Sequence, residues 1–128
     1  MRAALAALIG ASLVCGTAQA QQVGPSKISV VSFSDQFLFR LDVRNPYPEA
    51  KVFRLFALDD ETLEATPVWT AMPEIRLEAG AQRRLIFTAP FNGAANRKLL
   101  ICAETETQSG DHGRQVAQVC SRVSGQRL

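Results

Sequence analysis

Histidine, tryptophan and tyrosine each occur once in this chain, and cysteine only three times. With His112 as the sole imidazole, a zinc centre of about four ligands has few donors to draw on. Serines 32, 34, 109 and 121 likewise share one possible histidine base, so no Ser/His pairing suggests itself. No Gly-x-Ser-x-Gly elbow and no phosphate-cradling glycine loop occurs, and the carboxylates follow no recognisable acid/base spacing. Glu104 and Glu106 point the same way from one extended segment, as a solvated face requires. The expectation is a protein that is not an enzyme and carries no cofactor. No charge of one sign dominates either: without Arg2, thirteen of the fourteen Lys and Arg face twelve Asp and Glu. That balance provides no electrostatic case for nucleic acid or an anionic membrane. No apolar run is long enough for a confident membrane span, and there is no internal repeat and no convincing amphipathic helix.

What is present begins with "MRAALAALIGASLVCGTAQAQQ". Arg2, an apolar stretch over Ala3–Val14 and the small residues Ala18–Ala20 form a secretory signal with cleavage expected near Ala20. The alternative is lipid attachment at Cys15, although Val14 before it is bulkier than such a site favours. Cleavage removes Cys15 and leaves an even cysteine count in a periplasmic or secreted chain of one small domain. Residues 21–26 are expected as a loose leader, 27–123 as the domain and 124–128 as a frayed tail.

Within the domain the apolar period is two. "QFLFRLDVRN" places Phe37, Phe39, Leu41 and Val43 on one side and Arg40, Asp42 and Arg44 on the other, the pattern of a strand with one buried face. Turns follow at "NPYPEA" and "DDE". Further strands are expected over "KISVVSF", "KVFRLFAL", "QRRLIFTAP", "RKLLICAETET" and "RQVAQVCSRV", with a shorter piece at "ATPVWTA" in which Pro67 argues for an edge or a bend. About seven short strands with turn signals between them predict an all-β, immunoglobulin-like antiparallel β-sandwich. Trp69, beside Pro67 and Met72, would anchor a partner if exposed, but as the lone tryptophan of such a sandwich it is expected in the core. Arg83–Arg84 and Arg97–Lys98 flank one connection and could form a basic patch.

Cys102 and Cys120 admit a metal site, a redox pair or a staple. Asp111 and His112 could add to two thiolates, but both lie in the glycine-flanked "QSGDHG". A redox pair normally shows close C-x-x-C spacing, which is absent. If "QSGDHG" is a hairpin tip, pairing Cys102 opposite Cys120 centres the turn on Asp111, so sulfurs and turn residues imply one register. The sequence therefore predicts a cross-strand disulfide, which persists in an oxidising compartment.

"FLFRLDVRNPYPEAKVFRLFALD" followed by "PEIRLEAGAQRRLIF" resembles the N-terminal immunoglobulin-like domain of periplasmic pilus-assembly chaperones. Pro73, Ile75, Leu77, Gly80 and Leu85 carry the second element of that likeness. The resemblance implies that the last strand lends alternating side chains to complete the sheet of an exported partner, a mode known as β-augmentation. It points to Ala117, Val119 and Val123 on one face of "RQVAQVCSRV", and to Lys27 and Arg122 for a basic pair that anchors a partner carboxylate. Three departures stand beside it. Ser124 occupies the place of the family's lysine, Gln118 interrupts the apolar strand, and the family's second domain has no counterpart. The expected role is an exported protein-binding module, pilus-chaperone-like or accessory to envelope assembly. The alternative is a structural envelope domain, lipid-anchored if Cys15 is modified. Natively exported protein is expected to show no sulfur open to alkylation until reduced; two alkylated cysteines in unreduced material would reject the staple.

Overall fold

The computed structural model describes residues 23–108 and 113–128. The described residues form ten strands: β1 (Val23–Gly24), β2 (Lys27–Ser32), β3 (Gln36–Arg44), β4 (Lys51–Asp59), β5 (Ala65–Thr66), β6 (Trp69–Thr70), β7 (Glu74–Leu77), β8 (Gln82–Pro90), β9 (Asn96–Gln108) and β10 (Arg114–Arg127). The alternation along β3 buries Phe37, Phe39, Leu41 and Val43 as expected. Phe87 of the adjacent β8 shares their side, and β4, β9 and β10 supply Phe53, Leu99, Ile101 and Val123 from the other sheet, all five fully buried. Phe39 stacks on Phe87 at 5.5 Å between centroids, and Phe37 leans on Phe91 at 4.8 Å. Such aromatic pairs add about 0.5–1.5 kcal/mol each beyond the area they bury.

Two sheets enclose this core, giving an immunoglobulin-like sandwich. One runs β1-β3-β8-β6; the other runs β2-β10-β9-β4-β5, with β7 also paired to β4. All pairings are antiparallel except that of β2 with β10. Two segments divide themselves between the sheets. Val23–Gly24 pair with β3 and, beyond Pro25, Lys27–Ser32 pair with β10. Ala65–Thr66 pair with β4 and, beyond Pro67, Trp69–Thr70 pair with β8. Each proline lies where one ladder stops, because a residue without an N–H cannot continue it.

Two expected boundaries change. The tail placed at 124–128 is strand through Arg127, because β2 lies parallel to Arg122–Arg127 and pairs with every one of them. The leader placed at 21–26 contributes Val23, which is buried against the core, and Gly24. The signal segment, Cys15 and residues 109–112 lie outside the described residues.

Polar side chains close the turns. Asn45 is fully buried. Its Nδ2 donates to the carbonyls of Glu49 (2.8 Å), Leu77 (3.0 Å) and Glu78 (3.2 Å), and its Oδ1 accepts from Tyr47 N–H at 2.9 Å. The "NPYP" turn is thereby tied to the Gly80 turn, whose glycine has φ of 72°. At the "DDE" turn, Asp59 accepts from the N–H groups of Thr62 and Glu61. Those two donors, Thr62 foremost, hold its carboxyl below the usual carboxylate range. Because the folded value is lowered, the contribution of this turn is present at neutral pH and is lost as pH falls through it.

At Gly125 the backbone runs close against a core ring. A Cβ there would stand 2.9 Å from three atoms of the Phe37 ring, and that ring is itself packed against Phe39 and Phe91. Gly125→Ala is expected to destabilise by about 1–3 kcal/mol through overpacking, read as a lower denaturant midpoint at unchanged slope. Asn45→Asp, which turns an acceptor toward three carbonyls, is expected to lose about 2–4 kcal/mol.

Candidate functional site

The last hairpin organises the site. β9 and β10 pair without interruption from Gln108↔Arg114 to Asn96↔Gln126. Cys102 stands opposite Cys120, bonded at 2.06 Å with Cα atoms 4.0 Å apart. The expected staple and register are both present. A Cα separation this short belongs to a non-hydrogen-bonded pair, so the N–H and C=O of Cys120 turn away from β9. By the period of two, Val116, Gln118 and Arg122 do the same. Arg122 illustrates it, donating its N–H to the Ser26 carbonyl at 2.9 Å on the β2 side.

That outer edge of β10 is only half covered. β2 pairs with Arg122–Arg127 and no further toward the hairpin tip. From Arg114 to Ser121, among the described residues, no strand pairs with it. The covered half ends at Arg122, and the buried hydroxyl of the neighbouring Ser121 donates to the Pro25 carbonyl where the first segment crosses between sheets.

Side chains along β10 alternate as expected. Ala117, Val119, Ser121 and Val123 share the core-facing side; Val116, Gln118, Cys120 and Arg122 share the other. Val123 is wholly buried opposite Leu99 and belongs to the core. Ala117 and Val119 are half-buried, and Val116 is 59% exposed. The uncovered half of the strand therefore combines unpaired main chain with small apolar side chains. On the outward side the disulfide lies beside Phe56, the β4 partner of Cys102, and Gln118 Nε2 is 3.5 Å from Cys120 Sγ.

Lys27 and Arg122 are direct register partners, side by side on the outward face at the point where coverage by β2 begins. Arg122 Nε is 3.4 Å from Asp60 Oδ2, whereas Lys27 is exposed with no partner among the described residues. Ser124, at the place of the family's lysine, is half-buried between Ser29 and Lys98. The other basic residues do not form one patch. Arg84 Nε donates to Asp42 Oδ1 at 2.9 Å, a bond that raises its own proton affinity. Arg97 donates to the Pro90 carbonyl at 2.6 Å and to the Thr66 hydroxyl, bracing a connection. Asp111 and His112 lie outside the described residues.

Trp69 is not in the core. It is 62% exposed on the outward face of the four-stranded sheet. In so short a strand only one of two neighbours can face inward, and here Thr70 pairs beside the buried Phe87 while Trp69 pairs beside Thr88. Sequence reasoning also missed the buried Asn45, though "RNPYP", with an Asx residue before a proline turn, carried the signal.

The architecture is the PapD-like immunoglobulin fold of the N-terminal domains of periplasmic pilus chaperones. The chain is similar to the Escherichia coli chaperone DraB, with 15% identity and a TM-score of 0.62 over 82% of this chain and 53% of that one. It is similar to a chain in the complex of the Salmonella enterica SafA pilin with the SafB chaperone, with 16% identity and a TM-score of 0.64 over 82% and 53%. PapD-like domain 7 of human CEP192 aligns over 100% of this chain and 98% of its own, with 12% identity and a TM-score of 0.60. The chain spans about half the length of the bacterial chains it matches. No family model and no curated protein matches it.

The disulfide closes a separation of 18 residues, a span for which chain entropy gives about 3 kcal/mol of stabilisation. Cys102→Ser/Cys120→Ser is expected to lose a comparable amount in urea unfolding while keeping the β-rich circular dichroism spectrum.

Proposed function

We propose that this chain is an exported, non-enzymatic protein-binding module that takes a strand-deficient subunit of an envelope or appendage assembly onto the open edge of β10. The single observation that carries this reading is the half-covered strand. The outward N–H and C=O groups of Val116, Gln118 and Cys120 have no strand paired with them among the described residues. An added strand would satisfy these groups, and Ala117 and Val119 would enter pockets of the guest at the spacing of alternate residues. Lys27 and Arg122, adjacent at the end of that edge, suit a guest's terminal carboxylate. The fold likeness to chaperones, one of them in a complex with a pilin, supports the same reading. Export with cleavage near Ala20 belongs to this proposal, as does the localisation in periplasm or medium.

A second reading is a structural envelope domain without a subunit to bind, in favour of which the same fold occurs outside pilus chaperones, in the PapD-like domain of human CEP192.

Gln118→Pro separates the two. Gln118 is exposed and its N–H turns away from β9, so proline removes an edge donor and leaves the hairpin ladder intact. With an exported immunoglobulin-like subunit lacking its last strand as the probe, the unmodified chain is expected to co-purify at one to one. Gln118→Pro is expected to weaken the complex by about tenfold or more, with stability changed by about 1 kcal/mol or less. Equal binding by both chains would exclude β-augmentation at this edge. Val123→Asp is unsuited to the purpose, because it places a charge in the core.

A further inference from the structure

The outward face of the four-stranded sheet holds a second site, independent of β10. Trp69, Thr88 and Leu38 form one row across β6, β8 and β3. Trp69 and Leu38 are both more than half exposed. No element among the described residues covers them. Beside this row lies a concave hollow of about 510 Å³ lined by Gln36, Pro67, Val68, Trp69, Thr88 and Pro90. Its size falls in the range of about 300–1,000 Å³ usual for small-ligand sites.

The lining selects among occupants. None of the six residues is charged, so the hollow offers nothing to an ion. The Gln36 amide and the Thr88 hydroxyl have no hydrogen-bond partner among the described residues, so donors and acceptors stand ready around an open indole. An extended peptide would need main-chain partners, yet β6 is only two residues long and is preceded by Pro67, while Pro90 closes β8. A second copy laid face to face would oppose Arg40 and Arg44, which turn outward on the same sheet and have no ion-pair partner among the described residues. A lipid surface calls for side chains that protrude, whereas this indole borders a hollow.

We propose that the hollow binds an uncharged sugar unit, a hexose or N-acetylhexosamine of a polysaccharide, stacked on the Trp69 indole. One face of a pyranose presents C–H groups to the negative face of the ring, and its rim hydroxyls meet the Gln36 amide and the Thr88 hydroxyl. A chain continuing along β3 passes Leu38 and reaches Arg40, roughly 7 Å further. The site lies on the sheet opposite β10, so its failure would leave the proposed protein binding untouched.

Trp69 is the only tryptophan in the chain, so its emission reports this site directly. The full chain is titrated with neutral tri- to hexasaccharides of glucose, mannose and N-acetylglucosamine. A saturable change in emission is expected with at least one series, with a dissociation constant of roughly 0.1–1 mM for a single stacked ring. Gln36→Ala and Thr88→Val are each expected to weaken it by about fivefold, and Trp69→Ala to abolish the binding heat in calorimetry. No response to any series at roughly 10 mM, far above that constant, overturns the proposal, as does binding that survives Trp69→Ala. A response only to anionic phospholipid vesicles would assign the face to a membrane and overturn it. Emission that follows protein concentration alone would assign it to a second copy, with the same consequence.

Discussion

The register of β10 against β9 is the constraint on which the rest of the structure depends. A slip of one residue would carry Val119, Ser121 and Val123 to the outward face and bring Gln118 and Arg122 into the core. Two independent devices oppose it. Burial of Val123 opposite Leu99 favours the observed pairing, and the Cys102–Cys120 bond enforces the same one covalently. With that register held, β10 runs fourteen residues, further toward the hairpin tip than the short β2 can follow. An uncovered strand edge is the geometric result.

Elsewhere the sandwich leaves few polar groups unattended. Among the described residues the buried polar side chains are Asn45, Thr105 and Ser121, and each is bonded to backbone. Thr105 ties β9 to the Val52 carbonyl of β4 at 2.8 Å, and Ser121 ties β10 to the crossing segment at Pro25. Asn45 joins two turns at one end of the molecule. Buried polar groups so satisfied specify which loops and strands meet, whereas apolar packing tolerates alternatives. The open edge of β10 and the exposed indole stand out against this background, because their polar and apolar surface is left for something else to cover.

Much of the fold was legible. The period of two in β3 is a local consequence of the pleat, so Phe37, Phe39, Leu41 and Val43 could be placed inside without any knowledge of their partners. The proline in "ATPVWTA" marked a break, and the break is a change of sheet. Trp69 was misplaced because composition says that a lone tryptophan belongs inside, while a two-residue edge strand has room for only one inward neighbour. The tail at 124–128 was misplaced for a related reason. Its polar residues give no strand signal, and its order comes from pairing with β9 on one side and, on the other, with β2, nearly a hundred positions away in sequence.

Local pattern alone set the alternating strands, the turns between them and the one pairing that two cysteines and a glycine-rich segment could specify between near neighbours. Contacts between distant segments settled which strand edges are covered and, among the described residues, which outward faces stay bare. That outcome rests on where β2 ends beside β10 and on how Pro67 turns the chain from one sheet to the other. Pleat and turn chemistry act over a few residues and are written in the local pattern, whereas coverage of an edge depends on the relative lengths of strands that meet only once the chain has folded.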